Sequence, residues 1–372
     1  MDIIKIKSAE LEKNWRNTKM NSLQRVRAVL EGRLPDRLTV LPQSFMFAAN
    51  GGGYTIGQIN RKPLVMAECH LKSMENYGYD GCIVDVDDAT LAEACGAKVL
   101  YREDNVAVVK ESEPVLKNLR DIDSLKLPDP KKDGRICEWL EVTERLSEKI
   151  GKEAFLIGRA DQGPFNLLCL LRGAQQFMED LICEEEDVIA HALAWTTEAH
   201  ILFARAQLEA GAHMTSMGDA YASPNLISPD TYRRFAFKWE KRVVERVQSQ
   251  EHPYSIHICG DTTKIIQDIG RTQARVLEVD WKLDMGMTRK LLPETTVLMG
   301  NINPSDPMYL GTPEQVKEQV KQVIEKTRGK GLIVSSGCAL GANTKPENVA
   351  AMVEAVKLYG SKERLEEMAE WS

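Results

Sequence analysis

The chain has 372 residues, of which 43% are hydrophobic and 28% are charged, a balance typical of a globular protein. Its net charge of −7 argues against nucleic acid as the main partner, because no basic stripe is present to neutralise phosphates. No run approaches the roughly 20 apolar residues of a membrane span, and the charged residues at 1–7 do not resemble a signal peptide. These features predict a cytoplasmic protein with no membrane partner.

The first predicted element in chain order is a helix over residues 8–32. Leu23, Val26 and Val29 recur there at helical spacing, with basic residues between them. Residues 48–53 are rich in glycine but lack the spacing of a phosphate-binding loop. We therefore expect an open segment at that position.

The next stretch predicts a helix over 64–77 and then a small excursion from the main fold. Short strand-like runs at 98–101 and 106–109 flank an acidic turn and predict a hairpin. Residues 119–134 contain two prolines and many charges, which indicates a linker on the surface. We expect this part of the chain, about 92–134, to be an insertion.

Eight segments have the length and apolar character of buried strands. They lie at 38–41, 81–86, 153–158, 211–217, 254–258, 274–279, 295–299 and 331–335. Helical segments follow most of them, and eight alternating units predict a (β/α)8 TIM barrel. The alternative is an open doubly wound sheet, which the missing dinucleotide fingerprint disfavours. We expect one barrel domain over 1–372, with an N-terminal helical extension at about 1–35.

A His-Ile-Cys-Gly sequence, 257–260, lies at the end of the fifth predicted strand. His257 and Cys259 are two residues apart, so on an extended strand end their side chains project to the same side. Cys338 follows the eighth strand and is the best candidate for a third ligand. One imidazole and two thiolates would leave a fourth position open on Zn²⁺, as in catalytic zinc sites. The alternative is that both cysteines are simply small buried residues.

The remaining six cysteines are scattered singly and do not suggest a disulfide framework. We expect them to be free thiols in a reducing compartment. They are Cys69, Cys82, Cys95, Cys137, Cys169 and Cys183.

Polar residues also follow most of the other strands, where a barrel gathers its catalytic groups. Asp219 and Asp280 come directly after apolar strands, and Gln162 lies in the loop after the third strand. We expect these three to orient ligands or substrate. The other polar residues at strand ends could equally cap the helices that follow. They are Gln43, Asp85, Asp87, Asp161, Asn301 and Asn303.

A zinc site with two thiolates suits the binding of a further sulfur ligand as thiolate. It also suits Lewis-acid activation of an oxygen leaving group. Both chemistries serve methyl transfer, and the spacing alone does not distinguish methyl transfer from zinc-dependent hydrolysis. A zinc hydrolase would more often use several His and carboxylate ligands, and this chain has only six His.

Six segments together give the chain a family resemblance. They are Gln-Gly-Pro-Phe at 162–165, Glu-Ala-Gly-Ala at 209–212, Ile-His-Ile-Cys-Gly at 256–260, Leu-Met-Gly-Asn-Ile-Asn-Pro at 298–304, Gly-Thr-Pro-Glu-Gln-Val at 311–316 and Ser-Ser-Gly-Cys at 335–338. From about residue 25 to 356 the chain resembles the uroporphyrinogen decarboxylase superfamily, in particular its corrinoid-dependent methyltransferases, which include methylcobamide:coenzyme M methyltransferases. The resemblance implies a TIM barrel with zinc on His257, Cys259 and Cys338.

Porphyrinogen decarboxylases of this superfamily carry an arginine-rich segment near the first strand, and residues 41–47 contain no arginine. We therefore expect a zinc methyltransferase that moves a methyl group between a corrinoid and a small thiol, methylated or methoxylated compound. No cobalamin-binding domain is visible, so a separate protein would supply the corrinoid. The alternative functions are a decarboxylase of the parent superfamily and a non-catalytic barrel.

Overall fold

The computed structural model, which describes residues 20–85 and 87–370, contains a barrel of eight parallel strands. The strands are β1 (Thr39–Val40), β2 (Gly81–Val84), β5 (Phe155–Arg159), β6 (Met214–Gly218), β7 (Tyr254–His257), β8 (Val276–Glu278), β9 (Val297–Ile302) and β10 (Leu332–Ser336). They pair in the order β1-β10-β9-β8-β7-β6-β5-β2. The amide of Asp80 donates to the carbonyl of Val40 (2.8 Å), which joins the two ends of this order. The barrel prediction is confirmed, and the open sheet is excluded.

Helices surround the barrel and connect its strands. Before β5 they are α1 (Ser22–Leu30), α2 (Phe45–Gly52), α3 (Ile56–Arg61), α4 (Met66–Tyr77), α5 (Thr90–Ala94) and α6 (Ile136–Ile150). After β5 they are α7 (Pro164–Arg172), α8 (Ala174–Cys183), α9 (Glu186–Glu209), α10 (Pro229–Phe235), α11 (Phe237–Val247), α12 (Ile266–Arg271), α13 (Met285–Leu291), α14 (Pro313–Thr327), α15 (Pro346–Tyr359) and α16 (Lys362–Glu370). None of the described helices is long and apolar enough to cross a membrane.

Helix α1 closes the end of the barrel at which the strands begin. Asn21 and Gln24 form a capping box that fixes the first turn of this helix. Val26 and Val29 pack against a cluster of side chains from the strands, among them Ile157. Within the described residues, the predicted helix over 8–32 spans Ser22–Leu30. The part of that prediction before residue 20 lies outside the described residues. The barrel is left accessible at its opposite, C-terminal mouth.

The excursion after β2 contains a separate two-stranded sheet, as the hairpin prediction requires. Strand β3 (Val99–Leu100) pairs antiparallel with β4 (Val108–Val109). One other expectation for this half of the chain is wrong. Residues 48–52 belong to α2, which is followed by a left-handed Gly53, because burial of apolar side chains there outweighs the glycine signal. The proposed linker at 119–134 lies largely at the surface, and it contains a 3-10 helix, Leu119–Ser124, in which Leu119 and Ile122 are buried.

Candidate metal centre

His257 and Cys259 lie at the C-terminal end of β7, and Cys338 lies just beyond β10. The Nε2 atom of His257 is 3.1 Å from the Sγ of Cys259, which in turn is 3.9 Å from the Sγ of Cys338. The ligand atoms of all three lie within 4.8 Å of one another. The barrel thus brings together the three side chains that the sequence nominated, across 78 residues between the two thiols.

The imidazole of His257 is oriented by the strand beside it. Its Nδ1 lies 3.0 Å from the carbonyl oxygen of Glu278, so Nδ1 carries the proton and donates, and Nε2 is available to face the thiols. The buried carboxylate of Glu278 accepts from the guanidinium of Arg159 (2.7 Å) and from the hydroxyl of Ser255. The residue that orients the imidazole therefore carries a carboxylate that is already paired with Arg159.

The thiols and the imidazole perturb one another strongly. Hydrogen bonding with Cys259 and burial both raise the pKa of the Cys338 thiol well above its usual range. Burial lowers the pKa of His257, but the interaction with Cys338 outweighs it and raises that pKa to about 9. Two adjacent thiols can both ionise only if a cation compensates the second charge. The donor set and its oriented imidazole therefore fit a Zn²⁺ ion with one open position.

Two glycines let the backbone approach closely around the triad. Gly260 has a left-handed φ of 95°, and a Cβ at that position would lie 2.8 Å from the Nδ2 of Asn225. A Cβ on Gly337 would lie 2.5 Å from the backbone nitrogen of Trp281. Only glycine therefore fits these two positions without movement of a neighbour.

Two adjoining cavities meet at the triad. The outer chamber, about 810 Å³, is open to solvent and is lined by residues such as Leu226, Trp281 and Tyr309. The inner chamber, about 230 Å³, lies deeper in the barrel mouth and includes His257 in its wall. Residues that line both chambers are Met46, Ala220, Cys259, Cys338 and Ala339. Both sulfur atoms therefore belong to the wall that the two chambers share.

Asp280 is the one of the three predicted catalytic residues that lines a chamber. It lies in the wall of the outer chamber, where its Oδ2 accepts from the amide of Gly260 (2.8 Å) and its Oδ1 accepts from the amide of Lys282 (2.9 Å). These bonds fix the backbone that follows Cys259. Asp280 thus holds the loop of the triad in place.

Asp219 and Gln162 are fully buried and line neither chamber. Asp219 accepts from the amide of Asn166 (2.6 Å) in the first turn of α7, and burial raises the pKa of its carboxyl to about 7. The side chain of Gln162 accepts from the amides of Leu91 and Ala92 in α5. In this structure both residues satisfy helix N-termini.

The other polar residues at strand ends divide into two groups. Gln43, Asp85, Asp87 and Asp161 line the inner chamber, and Asp87 also forms a buried ion pair with Arg135. The two asparagines instead form local structural bonds. Asn301 donates to the carbonyl oxygens of Asp280 and Leu283, and Asn303 accepts from the amides of Ser305 and Asp306.

Sequence reasoning missed three charged residues of the site. Arg159 and Asp88 line the inner chamber, and the backbone carbonyl of Glu278 accepts from His257. The sequence offered two signals for them. Glu278 lies within the apolar run 274–279, and Arg159 lies at the end of the third strand. Charged residues at such buried positions are rarely found without a partner of opposite charge.

A family model described as uroporphyrinogen decarboxylase (URO-D) matches residues 21–359. The chain therefore belongs to the uroporphyrinogen decarboxylase family, and the barrel has the fold of that family.

Within this family the chain resembles proteins named for methyl transfer. It is 31% identical over 284 residues to methylcobamide:CoM methyltransferase MtbA of Methanosarcina mazei, covering 76% of this chain and 80% of that protein. It is 28% identical over 340 residues to methylcobamide:CoM methyltransferase MtaA of Methanosarcina barkeri, covering 90% and 97% of the two chains. The solved structure of a methyltransferase from Methanosarcina mazei superimposes with a TM-score of 0.83 at 25% identity, covering 92% of this chain and 99% of that one.

Proposed function

We propose that this protein is a zinc-dependent methyltransferase that moves a methyl group between a corrinoid and a small substrate. The observation that carries the proposal is the placement of both thiols of the triad in the wall shared by two chambers. The names of the related methylcobamide:CoM methyltransferases support the corrinoid as one reactant.

His257, Cys259 and Cys338 would hold the zinc ion. When bound, zinc would supply a Lewis acid that lowers the pKa of a thiol substrate towards neutral pH. The chain's own residues keep the site in shape. Glu278 holds the imidazole tautomer through its carbonyl oxygen, and Asp280 holds the amide of Gly260.

The sizes of the two chambers suit the two reactants. The outer chamber, about 810 Å³ and open, could admit one face of a corrin ring presented by a separate protein. The inner chamber, about 230 Å³, suits a small molecule. Methyl transfer to or from cobalt is an in-line displacement, so both reactants must be held in alignment. Two chambers that meet at the thiols provide that alignment.

Transfer of the methyl group to a thiol breaks one bond to carbon and forms another. The carbon–cobalt bond of methylcobalt(III) breaks and a carbon–sulfur bond forms. Both bonding electrons remain on the metal as cobalt(I), and the thiol proton leaves to solvent. Transfer from a methylated or methoxylated donor to cobalt(I) is the corresponding reaction in the other direction.

The interconversion of methylcobalt(III) and cobalt(I) absorption tests the proposal. Zinc-loaded protein would be mixed with methylcobalamin, or with a reduced corrinoid protein, and with thiols and methylated or methoxylated small molecules. We expect a spectral change with at least one substrate, and its loss in His257→Ala even at saturating substrate. Cys183→Ser, which alters an exposed thiol, is the control. No cobalt spectral change with any substrate would refute the proposed function.

A further inference from the structure

The inner chamber carries more negative than positive charge. Four aspartates line it, namely Asp85, Asp87, Asp88 and Asp161. Among the described residues that line it, Arg159 is the one arginine or lysine. A zinc ion with two thiolates and a neutral imidazole would add no net charge. The net charge of the inner chamber therefore depends on how the aspartates and Arg159 are paired.

Arg159 is occupied by groups of the protein. Its Nη2 donates to the carboxylate of Glu278 (2.7 Å), its Nε lies 3.4 Å from Asp85, and its Nη1 donates to the carbonyl of Met217 (3.3 Å). The guanidinium is also buried, with 3% of its side chain exposed. Its charge is thus shared between two carboxylates and is not directed at a ligand.

One of the aspartates has its own counter-ion. Asp87 receives two hydrogen bonds from Arg135, at 2.5 and 3.0 Å. Asp161 differs, since its carboxylate accepts from the backbone amides of Gln162 (2.7 Å) and Gly218 (3.1 Å). Asp88 also lines the chamber and is exposed there. The negative charge of the inner chamber that exceeds its positive charge is therefore concentrated at Asp88 and Asp161.

The acidities of these two residues agree with that excess. Burial and repulsion from Asp85 and Asp87 raise the pKa of Asp88 to about 6. Burial and repulsion from Asp88 raise the pKa of Asp161 well above its usual range, against the opposing effect of Arg159. Like charges close together in a poorly solvated space disfavour ionisation. A cation placed between them would relieve this repulsion.

The carboxylates are not arranged to hold a second metal ion. Among the described residues, the triad of His257, Cys259 and Cys338 is the one group of three or more potential ligands that lie within 4.8 Å of one another. A cation carried on an organic molecule is different, because it needs complementary charge at hydrogen-bonding distance but no closed coordination shell. The chamber therefore fits an ammonium group better than an inorganic ion.

We infer that the inner chamber selects a small substrate that carries a protonated amine, and that it disfavours substrates carrying a carboxylate or a sulfonate. The inference rests on the proposed function, since it assigns the substrate class of the same site. The reacting end of the substrate would face the two thiols, and its ammonium group would face Asp88 and Asp161. Specificity would then come from a complementary charge on one side and repulsion of the wrong charge on the other.

Three thiols that differ only in their head groups provide the test. They are 2-aminoethanethiol, 2-hydroxyethanethiol and 2-sulfonatoethanethiol, which are cationic, neutral and anionic at pH 7. Their binding to the zinc-loaded, full-length protein would be measured by calorimetry at low and high salt. We expect the cationic thiol to bind about tenfold more tightly than the neutral one, and the anionic thiol to bind about tenfold more weakly. High salt should compress both differences.

Matched variants locate the source of the preference. Asp88→Asn, alone or with Asp161→Asn, should remove most of the preference, so that the cationic and neutral thiols bind with similar affinity. Asp261→Asn removes the same charge two residues after Cys259, but it lies outside both chambers and should change nothing. Zinc content is measured in each variant, so that loss of the metal is not mistaken for loss of charge recognition.

Three results would contradict the proposed charge selection. A wild-type preference for the sulfonate, no binding of the cationic thiol, or a cationic preference that persists in the double variant would overturn it. If the expected order holds but no thiol changes the cobalt spectrum, the charge selection stands and the methyltransferase proposal loses support. If the sulfonate is the best methyl acceptor, the methyltransferase proposal stands and the charge selection is overturned.

Discussion

Removing the two thiols of the triad should abolish zinc binding while the barrel remains folded. The Cys259→Ser/Cys338→Ser variant replaces both sulfur ligands with hydroxyls of similar size. The triad lies at the C-terminal rim, separate from the apolar cluster of strand and α1 side chains that fills the other end of the barrel. We therefore expect a folded protein whose zinc content falls from about one ion per chain to nearly none.

The size of the thermal effect follows from ligand linkage. Free zinc at a thousandfold excess over its dissociation constant stabilises the folded state by about 4 kcal/mol. Unfolding entropy of about 2.1 cal/mol/K per residue gives about 0.8 kcal/mol/K for this chain. Zinc should therefore raise the Tm of the wild type by up to about 5 °C. The double variant should melt at the temperature of zinc-free wild type, with or without added zinc.

Scanning calorimetry and elemental analysis on the same samples provide the assay. Wild type, the double variant and Cys183→Ser would be compared after dialysis against a chelator and after reloading with zinc. Cys183 is exposed, so its variant should behave like wild type. Equal zinc content and an equal rise in Tm in the double variant would show that the metal binds elsewhere. Loss of folding in the double variant without metal would contradict the separation of rim and core.

Three further predictions concern positions around the site. Gly337→Ala should weaken zinc binding at least several-fold in a metal titration, because its Cβ would displace the backbone of Trp281. Gly341→Ala is the control, since its Cβ would meet open space and should leave zinc binding normal. The free energy of unfolding of wild type, relative to that of Asp219→Asn, should fall as pH rises from about 4 to 7. Burial raises the folded-state pKa of Asp219 to about 7, so folding favours its protonated form. A difference in free energy that stays constant with pH, measured by urea unfolding, would contradict this. The protein should not decarboxylate uroporphyrinogen, and coproporphyrinogen formation unaffected by chelation would favour the decarboxylase alternative.

The sequence was sufficient for the barrel and the triad because both depend on local patterns. Apolar runs that end in polar residues mark strands, and a parallel barrel gathers those ends at one mouth. His257 and Cys259 are two residues apart at the end of a strand, so their side chains project to the same side. Cys338 lies at the end of another strand.

The sequence could not assign the roles of Gln162 and Asp219, because both lie beyond the ends of their strands, where the period of two no longer applies. Their side chains reach helix N-termini instead of either chamber. Pairing of charges is also non-local. The partnership of Arg159 with Glu278 joins residues 119 positions apart and has no sequence signature.

The seam between β1 and β10 affects how this chain can fold during synthesis. Thr39 and Val40 pair with Ile333 and Val334, so one edge of β1 lacks its partner until almost the whole barrel has been made. At about 5 to 20 residues per second, the ribosome would take roughly 15 to 60 seconds to supply that partner. Contacts so distant in sequence form slowly, and an exposed strand edge can pair with other chains in the meantime. We expect newly made chains to depend on chaperones during this interval, and chain fragments that lack β10 to aggregate.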